Sequence, residues 1–461
     1  MKPHQLFETA RDSDHRLQQL SPKLRQADSH AAAACRIILR PEITHQKCLG
    51  FGGALTESSG YVLSSLAPKD RDRVLAAFFS PEHGHGYRFA RTHINSCDFS
   101  LENWACMEEK DETLESFSMQ RTDAYQTGLI QAAQAHTGNN LQLMLSPWSP
   151  PGWMKSNKEM NNGGVLLKEY YPLWARYIVK FITELDKRSI PVWAMSIQNE
   201  PAAVQTWDSC VWTAHEEAEF AISHLAPALS AAGYDKINIF VWDHNRDLLW
   251  QRFRDSMSIP GAQNAIAGAA FHWYSGDQYE QLSKVAGHYP DKLLVFTEGC
   301  IEGGPRPGAW FSGERYAHNI INDLNHGCHA WIDWNIALDM QGGPNHVGNY
   351  CDAPVLVDTV QRTAQFQSSY YYIGHFSRFI QPGAVRMASE LIGGMIPANV
   401  DGRMGNTIES TAFRNPDGST ALVLCNRTED EITYSIEASG SSDIQHFRCP
   451  PRAIQTLMLY E

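Results

Sequence analysis

The stretch Ser196-Ile197-Gln198-Asn199-Glu200-Pro201 closes an apolar run that starts at Val192 and ends abruptly in polar residues, a glutamate and a proline. Phe296-Thr297-Glu298-Gly299-Cys300 repeats the pattern after the run Leu293 to Phe296. Short apolar runs that stop at proline or glycine read as buried strands. Each of these two strands therefore delivers a carboxylate from its end into an open mouth. The interval from position 200 to position 298 holds about three strand-plus-helix units of roughly 30 residues each. That spacing suits strands four and seven of a (β/α)8 barrel, whose active site lies at the C-terminal ends of its strands.

Working outward, strand and helix signals alternate in the order such a barrel requires. Gly50 to Glu57, with glycines where backbones must approach closely, reads as strand one. Strands two to eight are expected at Tyr87 to Ile94, Leu141 to Leu145, Val192 to Ile197, Ile237 to Trp242, Ile266 to His272, Leu293 to Phe296 and His329 to Trp334. Helix-period segments such as Asp70 to Phe79, Tyr170 to Asp186 and Glu216 to Ala231 lie between them.

After Gln381-Pro382-Gly383 the rhythm changes. Asn406 to Arg414, Thr420 to Asn426, Thr433 to Ala438 and Ala453 to Leu459 read as short strands separated by turns such as Asn415-Pro416-Asp417-Gly418. A short strand, Arg36 to Arg40, has no place in the barrel and is expected to join this antiparallel module. Residues 1 to about 30 are polar and read as a frayed or helical extension. The expected fold is thus α/β: a TIM barrel over 46–380, with an antiparallel β-sandwich built from 381–461 and a strand of the segment 1–45.

A formal charge of −13, from 38 Lys+Arg against 51 Asp+Glu, and the lack of any basic run argue against nucleic acid as a partner. A neutral substrate suits the chain better. Its 13 Trp and 17 Tyr include flat faces on which sugar rings can stack. The 10 cysteines form no CxxC pair, and several sit inside apolar runs, so they read as reduced. Charged residues pepper Met1 to Gln26, so no secretory signal is expected, and no apolar run is long enough to span a membrane. The expected location is cytoplasmic, or outside by a route without a cleaved signal. The sequon Asn426-Arg427-Thr428 is then a coincidence.

Two carboxyl groups flanking a glycosidic bond can break it, one protonating the leaving oxygen and one attacking the ring or activating water. Glu200 and Glu298 are placed for that chemistry. The acid must hold its proton near neutral pH and its partner must not, so the two need different electrostatic settings. Asn199 could bond a sugar hydroxyl beside the reacting carbon. Asp98, Trp148, Tyr274 and Asp333-Trp334-Asn335 also fall at predicted strand ends.

These residues carry a family resemblance. GFGGALTE (50–57), SPWSPPGWMK (146–155), QNEP (198–201), HWY (272–274), TEGC (297–300), DWNIALDMQGGPNHVGN (333–349) and GHFSRFIQPGAVR (374–386) closely resemble glycoside hydrolase family 30, in particular its glucosylceramidase-like, acid β-glucosidase branch. The resemblance runs from about Arg36 to the C-terminus. It implies retaining double displacement on a β-glucoside, with Glu200 as acid/base and Glu298 as nucleophile. It also implies that Asp98, Trp148, Asn199, Tyr274, Trp334 and Asn349 hold the glucose ring, with Arg91 and His272 beside the nucleophile. The substrate implied is glucosylceramide or a similar β-glucoside, with transient contact at a membrane surface to reach a lipid. A β-1,6-glucanase or a β-xylosidase of the same family is the alternative. Two departures bear on specificity. His346 stands where many relatives carry an aromatic, and Trp310 and Phe311 in the loop from Gly299 to Arg315 either face an aglycone or pack that loop down.

Two other classes compete. A metal-dependent barrel hydrolase would use His93, Asp243, His244 and His272, but strand one has no His-x-His and no histidines show the i, i+4 zinc spacing with an acid. No metal and no cofactor are expected. A sugar-binding protein without turnover would be expected to lack a carboxylate, and both are present.

Overall fold

The computed structural model describes residues 2–28, 33–393, 408–441 and 443–460. The chain forms two compact units, Phe51–Arg306 with Trp331–Gln365, and Met1–Gly50 with Pro307–Ala330 and Phe366–Glu461.

Eight parallel strands close a barrel: Gly50–Ala54, Phe89–Ile94, Gln142–Pro147, Val192–Ser196, Asn238–Asn245, Gly268–His272, Leu293–Glu298 and Ala330–Asn335. All eight expected strands are present, with ends shifted by a few residues. The fifth runs past Trp242 to Asn245, with a register shift between Trp242 and His244, and the first stops at Ala54, where Glu57 opens the helix Glu57–Ser64 instead of ending the strand. Close approach explains Gly52: a Cβ there would stand 2.1 Å from the Phe89 carbonyl oxygen of the neighbouring strand. The helix Tyr171–Asp186 forms because Trp174, Tyr177, Ile178, Phe181, Ile182 and Leu185 recur at helical spacing, and it buries that face. Thr213 and Glu216 form a reciprocal capping box that starts the helix Ala214–Phe220. After the last barrel strand, Ala337–Asp339 pairs with Val355–Asp358, which frames the loop bearing Asn345 and Asn349.

In the second unit nine strands pair continuously, from Gln445–Cys449 at one edge to Gln18–Leu20 at the other. Leu6 and Phe447, from strands far apart in that order, enter one core with Ile37, Leu39, Leu422, Leu424, Tyr434 and Leu457, so the sheet folds over on itself as a sandwich. Most pairings are antiparallel. The exception is Cys35–Lys47 beside Ile432–Ala438, which is parallel. The former runs on through Pro41, well beyond the expected Arg36 to Arg40.

The N-terminal segment corrects the sequence reading. Lys2–Ala10 is a strand paired along its length with Ala453–Tyr460. It reads as polar because its buried Glu8 is satisfied by Arg25 and Gln455 instead of being apolar. Val385–Gly393 and Gln445–Cys449 are further strands, and Asn406 and Thr407, expected to begin a strand, lie outside the described residues. Trp310 packs down: its indole N–H donates to the Arg452 carbonyl at 3.0 Å and its ring meets Tyr372 edge-on. The amide of Asn426 is buried, bonded to the Asp430 and Pro450 carbonyls. All ten cysteines are buried and none is in a disulfide. Among the described residues no helix is long and apolar enough to cross a membrane.

Candidate active site

Glu298 is the last residue of the seventh strand, and Glu200 follows the fourth in a left-handed backbone conformation, φ 47°. For a glutamate that conformation costs about 1–3 kcal/mol and persists only where the surroundings impose it. Both side chains face one cavity of about 150 Å³. Asp98, Trp148, Asn199, Tyr274, Trp334 and Asn349, the six residues expected to hold a sugar, line the same cavity.

The two carboxylates have different partners. Glu298 accepts from Arg91 Nη1 at 2.6 Å and from the Tyr274 hydroxyl at 3.0 Å. Glu200 Oε1 has two imidazole nitrogens near it, His272 Nδ1 at 3.3 Å and His244 Nδ1 at 3.4 Å. His272 Nδ1 is also 4.0 Å from Glu298 Oε1. One nitrogen thus stands between both carboxylates, which keeps their nearer oxygens within a short reach of each other.

Asp243 anchors this arrangement from below. Its carboxylate accepts from Arg91 at 2.9 Å, Ser146 at 2.9 Å, Ser196 at 2.5 Å, Thr297 at 2.6 Å and His272 Nε2 at 3.0 Å. Burial opposes its charge, yet Arg91, His272 and Ser196 hold it well below the usual carboxylate range. Since Asp243 stays ionised, His272 Nε2 carries a proton, and Nδ1 is the nitrogen whose proton can move.

Burial also opposes a charge on His272, but Glu298, Asp243 and Glu200 outweigh it and push the imidazole up to about 9. Burial pushes Glu200 up, while the His272 bond and the His244 and His272 charges bring it below the ordinary glutamate value. Glu298 is raised by burial, and His272 and Arg91 return only part of that. The opposite shifts of His272 and Glu200 therefore favour the mobile proton on the imidazole side of their contact.

Trp148 and Trp334 stack at 5.3 Å and 24°, and the Arg91 guanidinium lies 4.7 Å from the Trp148 ring centroid and 5.4 Å from that of Trp334. A second Arg91 nitrogen donates to Asn199 Oδ1 at 2.7 Å, which leaves the Asn199 NH2 as the donor toward a ligand. Asp98 accepts from Asn345 at 3.1 Å and Asn349 at 3.2 Å. Burial and the Glu298 charge push it up to about 7 against those two bonds. His346 bonds Asp208 at 3.1 Å, a polar pair in place of an aromatic contact.

The structure brings together every expected site residue and adds Asp243, His244 and Asn345. Trp242-Asp243-His244-Asn245 was the available signal, a polar run closing an apolar strand. Neighbours on a regular strand point to opposite faces, yet Asp243 meets His272 while His244 meets Glu200. A bulge with positive φ at Trp242 (75°) and Asp243 (45°) makes this possible. His93 lies elsewhere, accepting from the Glu57 N–H at 3.1 Å and bonding the Asn95 carbonyl at 2.5 Å.

Two carboxylates, at the end of strand seven and just past strand four, in one cavity lined by two stacked tryptophans, are the apparatus of a glycoside-cleaving barrel. The Glycosyl hydrolase family 30 TIM-barrel domain matches residues 48–380 and the Glycosyl hydrolase family 30 beta sandwich domain matches residues 383–457; the chain belongs to this family and is a glycosidase. It is 30% identical to the lysosomal acid glucosylceramidase of Mus musculus over 418 residues, 87% of this chain and 79% of that protein. The crystal structure of SrfJ from Salmonella typhimurium superposes with a TM-score of 0.90 at 35% identity, covering 99% of each chain. The endo-beta1,6-glucanase BT3312 gives a TM-score of 0.85 at 27% identity over 100% of both chains.

Proposed function

We propose that the chain is a retaining exo-acting β-glucosidase that releases glucose from glucosylceramide or a similar β-glucoside with an apolar aglycone. The observation that carries this reading is the asymmetry of the carboxylates around His272: Glu298 fixed by Arg91 and Tyr274, Glu200 held only at imidazole nitrogens. Glu298 attacks the anomeric carbon and forms the glycosyl-enzyme. Arg91 and Tyr274 hold its oxygens in place and favour the ionised form.

Glu200 protonates the departing oxygen. With the proton favoured on His272, the acid is charged by a transfer along the 3.3 Å contact from Nδ1 to Oε1. Once Glu298 is esterified its negative charge is gone, and Glu200, again ionised, accepts a proton from the attacking water. The carboxylate spacing expected for this route is about 5–5.5 Å, within the reach set by their shared imidazole. Asp98 and Asn199 are placed to bond ring hydroxyls, and Trp148 and Trp334 to meet an apolar sugar face.

The cavity is small beside the ~300–1,000 Å³ typical of sites that engulf a drug-sized ligand. It supports binding one ring and leaving the aglycone outside. At the mouth, Trp207 lines the opening, and Val204 in the same loop is 66% exposed, an apolar rim that suits a lipid at a membrane surface. A β-1,6-glucan is the second reading, favoured by Gln205 and Glu302 on that rim, which could bond a further sugar.

The test is hydrolysis of aryl β-D-glucoside, xyloside, galactoside and fucoside by wild type and Glu298→Gln, then of glucosylceramide in detergent and of β-1,6-glucan. Glucoside and glucosylceramide turnover that disappears in the variant is expected. Turnover of the glucan alone selects the second reading, and no turnover on any substrate by folded protein refutes the first.

A further inference from the structure

His244 stands beside Glu200 but moves no proton in the scheme above. Its Nδ1 is buried and makes no hydrogen bond among the described residues, while standing 3.4 Å from Glu200 Oε1. His272 Nδ1 is 3.3 Å from the same oxygen. Ligands about 2.0–2.1 Å from a tetrahedral zinc centre are about 3.3–3.4 Å apart, so two edges of a tetrahedral face are already formed. One ligand atom from each of the three residues lies within 4.8 Å of the others, so a small inward shift of the imidazoles would complete the third edge.

We propose that Glu200, His244 and His272 form an inhibitory binding site for a borderline divalent cation such as Zn²⁺ or Co²⁺. The donor set is two imidazole nitrogens and one carboxylate oxygen, with the fourth position open to the cavity, an arrangement zinc accepts. The outer contact is also in place. His272 Nε2 donates to Asp243, which Arg91 and three hydroxyls keep ionised, and such a carboxylate–histidine pairing fixes the ring and raises its basicity toward metal.

The cation acts against the reaction, not for it. Its bond uses the lone pairs with which Glu200 would hold and release a proton, and it displaces the proton shared with His272. The binding geometry stands by itself. The inhibitory consequence rests on the glycosidase reading.

Co²⁺ titrated into the metal-free full-length chain reads binding directly, because tetrahedral coordination gives intense visible absorption. Calorimetry with Zn²⁺ supplies the affinity. Loss of an outer-sphere partner alone weakens metal sites by about 10–100-fold, so His244→Asn, which removes a direct ligand, is expected to weaken binding by at least about 100-fold. Glu200→Gln, which alters a surface-accessible carboxylate without changing its shape, is expected to do the same. Each variant's inhibition by Zn²⁺ is measured against its own metal-free rate. A chelator is expected to restore wild-type turnover and never to lower it.

A tetrahedral cobalt spectrum lost in both variants supports the site even if no glycoside is ever turned over, in which case the glycosidase reading alone falls. Turnover that Zn²⁺ leaves unchanged, or binding of equal strength in wild type and both variants, overturns it.

Discussion

Two glutamates, the buried Glu8 in the sandwich and the half-buried Glu200 in the barrel, differ in how completely they are satisfied. Glu8 takes Arg25 at 2.6 and 2.8 Å, His15 at 2.7 Å and Gln455 at 2.8 Å, and its side chain is wholly buried. Glu200 has imidazole nitrogens at 3.3 and 3.4 Å, a strained backbone and 14% of its side chain open to the cavity. A carboxylate closed in by donors is fixed in one protonation state and serves the fold. One whose proton can move along a single contact, and whose open side faces a cavity, is equipped for chemistry.

The largest effect that could break this comparison is at Glu298. Glu298→Gln is expected to lower kcat by at least about 10⁴-fold with its melting temperature essentially unchanged, because the proposed nucleophile is lost and its volume kept. Melting of the variant at ordinary temperature would mean the group is structural, like Glu8.

Next comes Glu200→Gln. With poor leaving groups, a loss of about 10²–10⁴-fold is expected. With a dinitrophenyl glucoside the first step should survive and the glycosyl-enzyme should accumulate as a burst. Equal loss of both steps in stopped-flow would refute the acid/base role.

The shared proton predicts the pH profile. His272 is raised above its ordinary 6.5 to about 9, so its charge stabilises the fold fully below pH 6.5 and that contribution is lost as pH rises through about 9. The alkaline limb of kcat/KM is expected to follow the His272–Glu200 pair. His272→Gln should move that limb to lower pH. An unmoved limb would show that the pair does not carry the catalytic proton.

The smallest effect on turnover is expected at Glu8. Glu8→Gln keeps the shape but removes the charge that Arg25 and His15 face, and should cost about 1–3 kcal/mol in chemical denaturation with kcat unchanged. A fall in kcat without loss of stability would erase the distinction between the two glutamates.

The barrel strands were legible because each is a short apolar run ended by glycine, proline or a polar residue, and Glu200 and Glu298 were legible as carboxylates at or just past the ends of two of them. The strand Lys2–Ala10 was not, since burial of Glu8 and Thr9 reverses the usual apolar pattern and depends on partners distant in the chain. Asp243 showed only as a candidate metal ligand near a predicted strand end, not as the anchor of the site. Its five donors come from the second, third, fourth, sixth and seventh strands, and no local signal foretells such a convergence.

By itself, the sequence determined the alternation of strands and helices, the two carboxylates at strand ends and the aromatic residues beside them, because burial patterning and strand termination are local properties. Tertiary structure decided which carboxylate is held by Arg91 and which by imidazole, and turned His244 toward Glu200 through a bulge. Those outcomes depend on barrel closure and on a register shift between strands, which bring together side chains that the order of residues keeps apart.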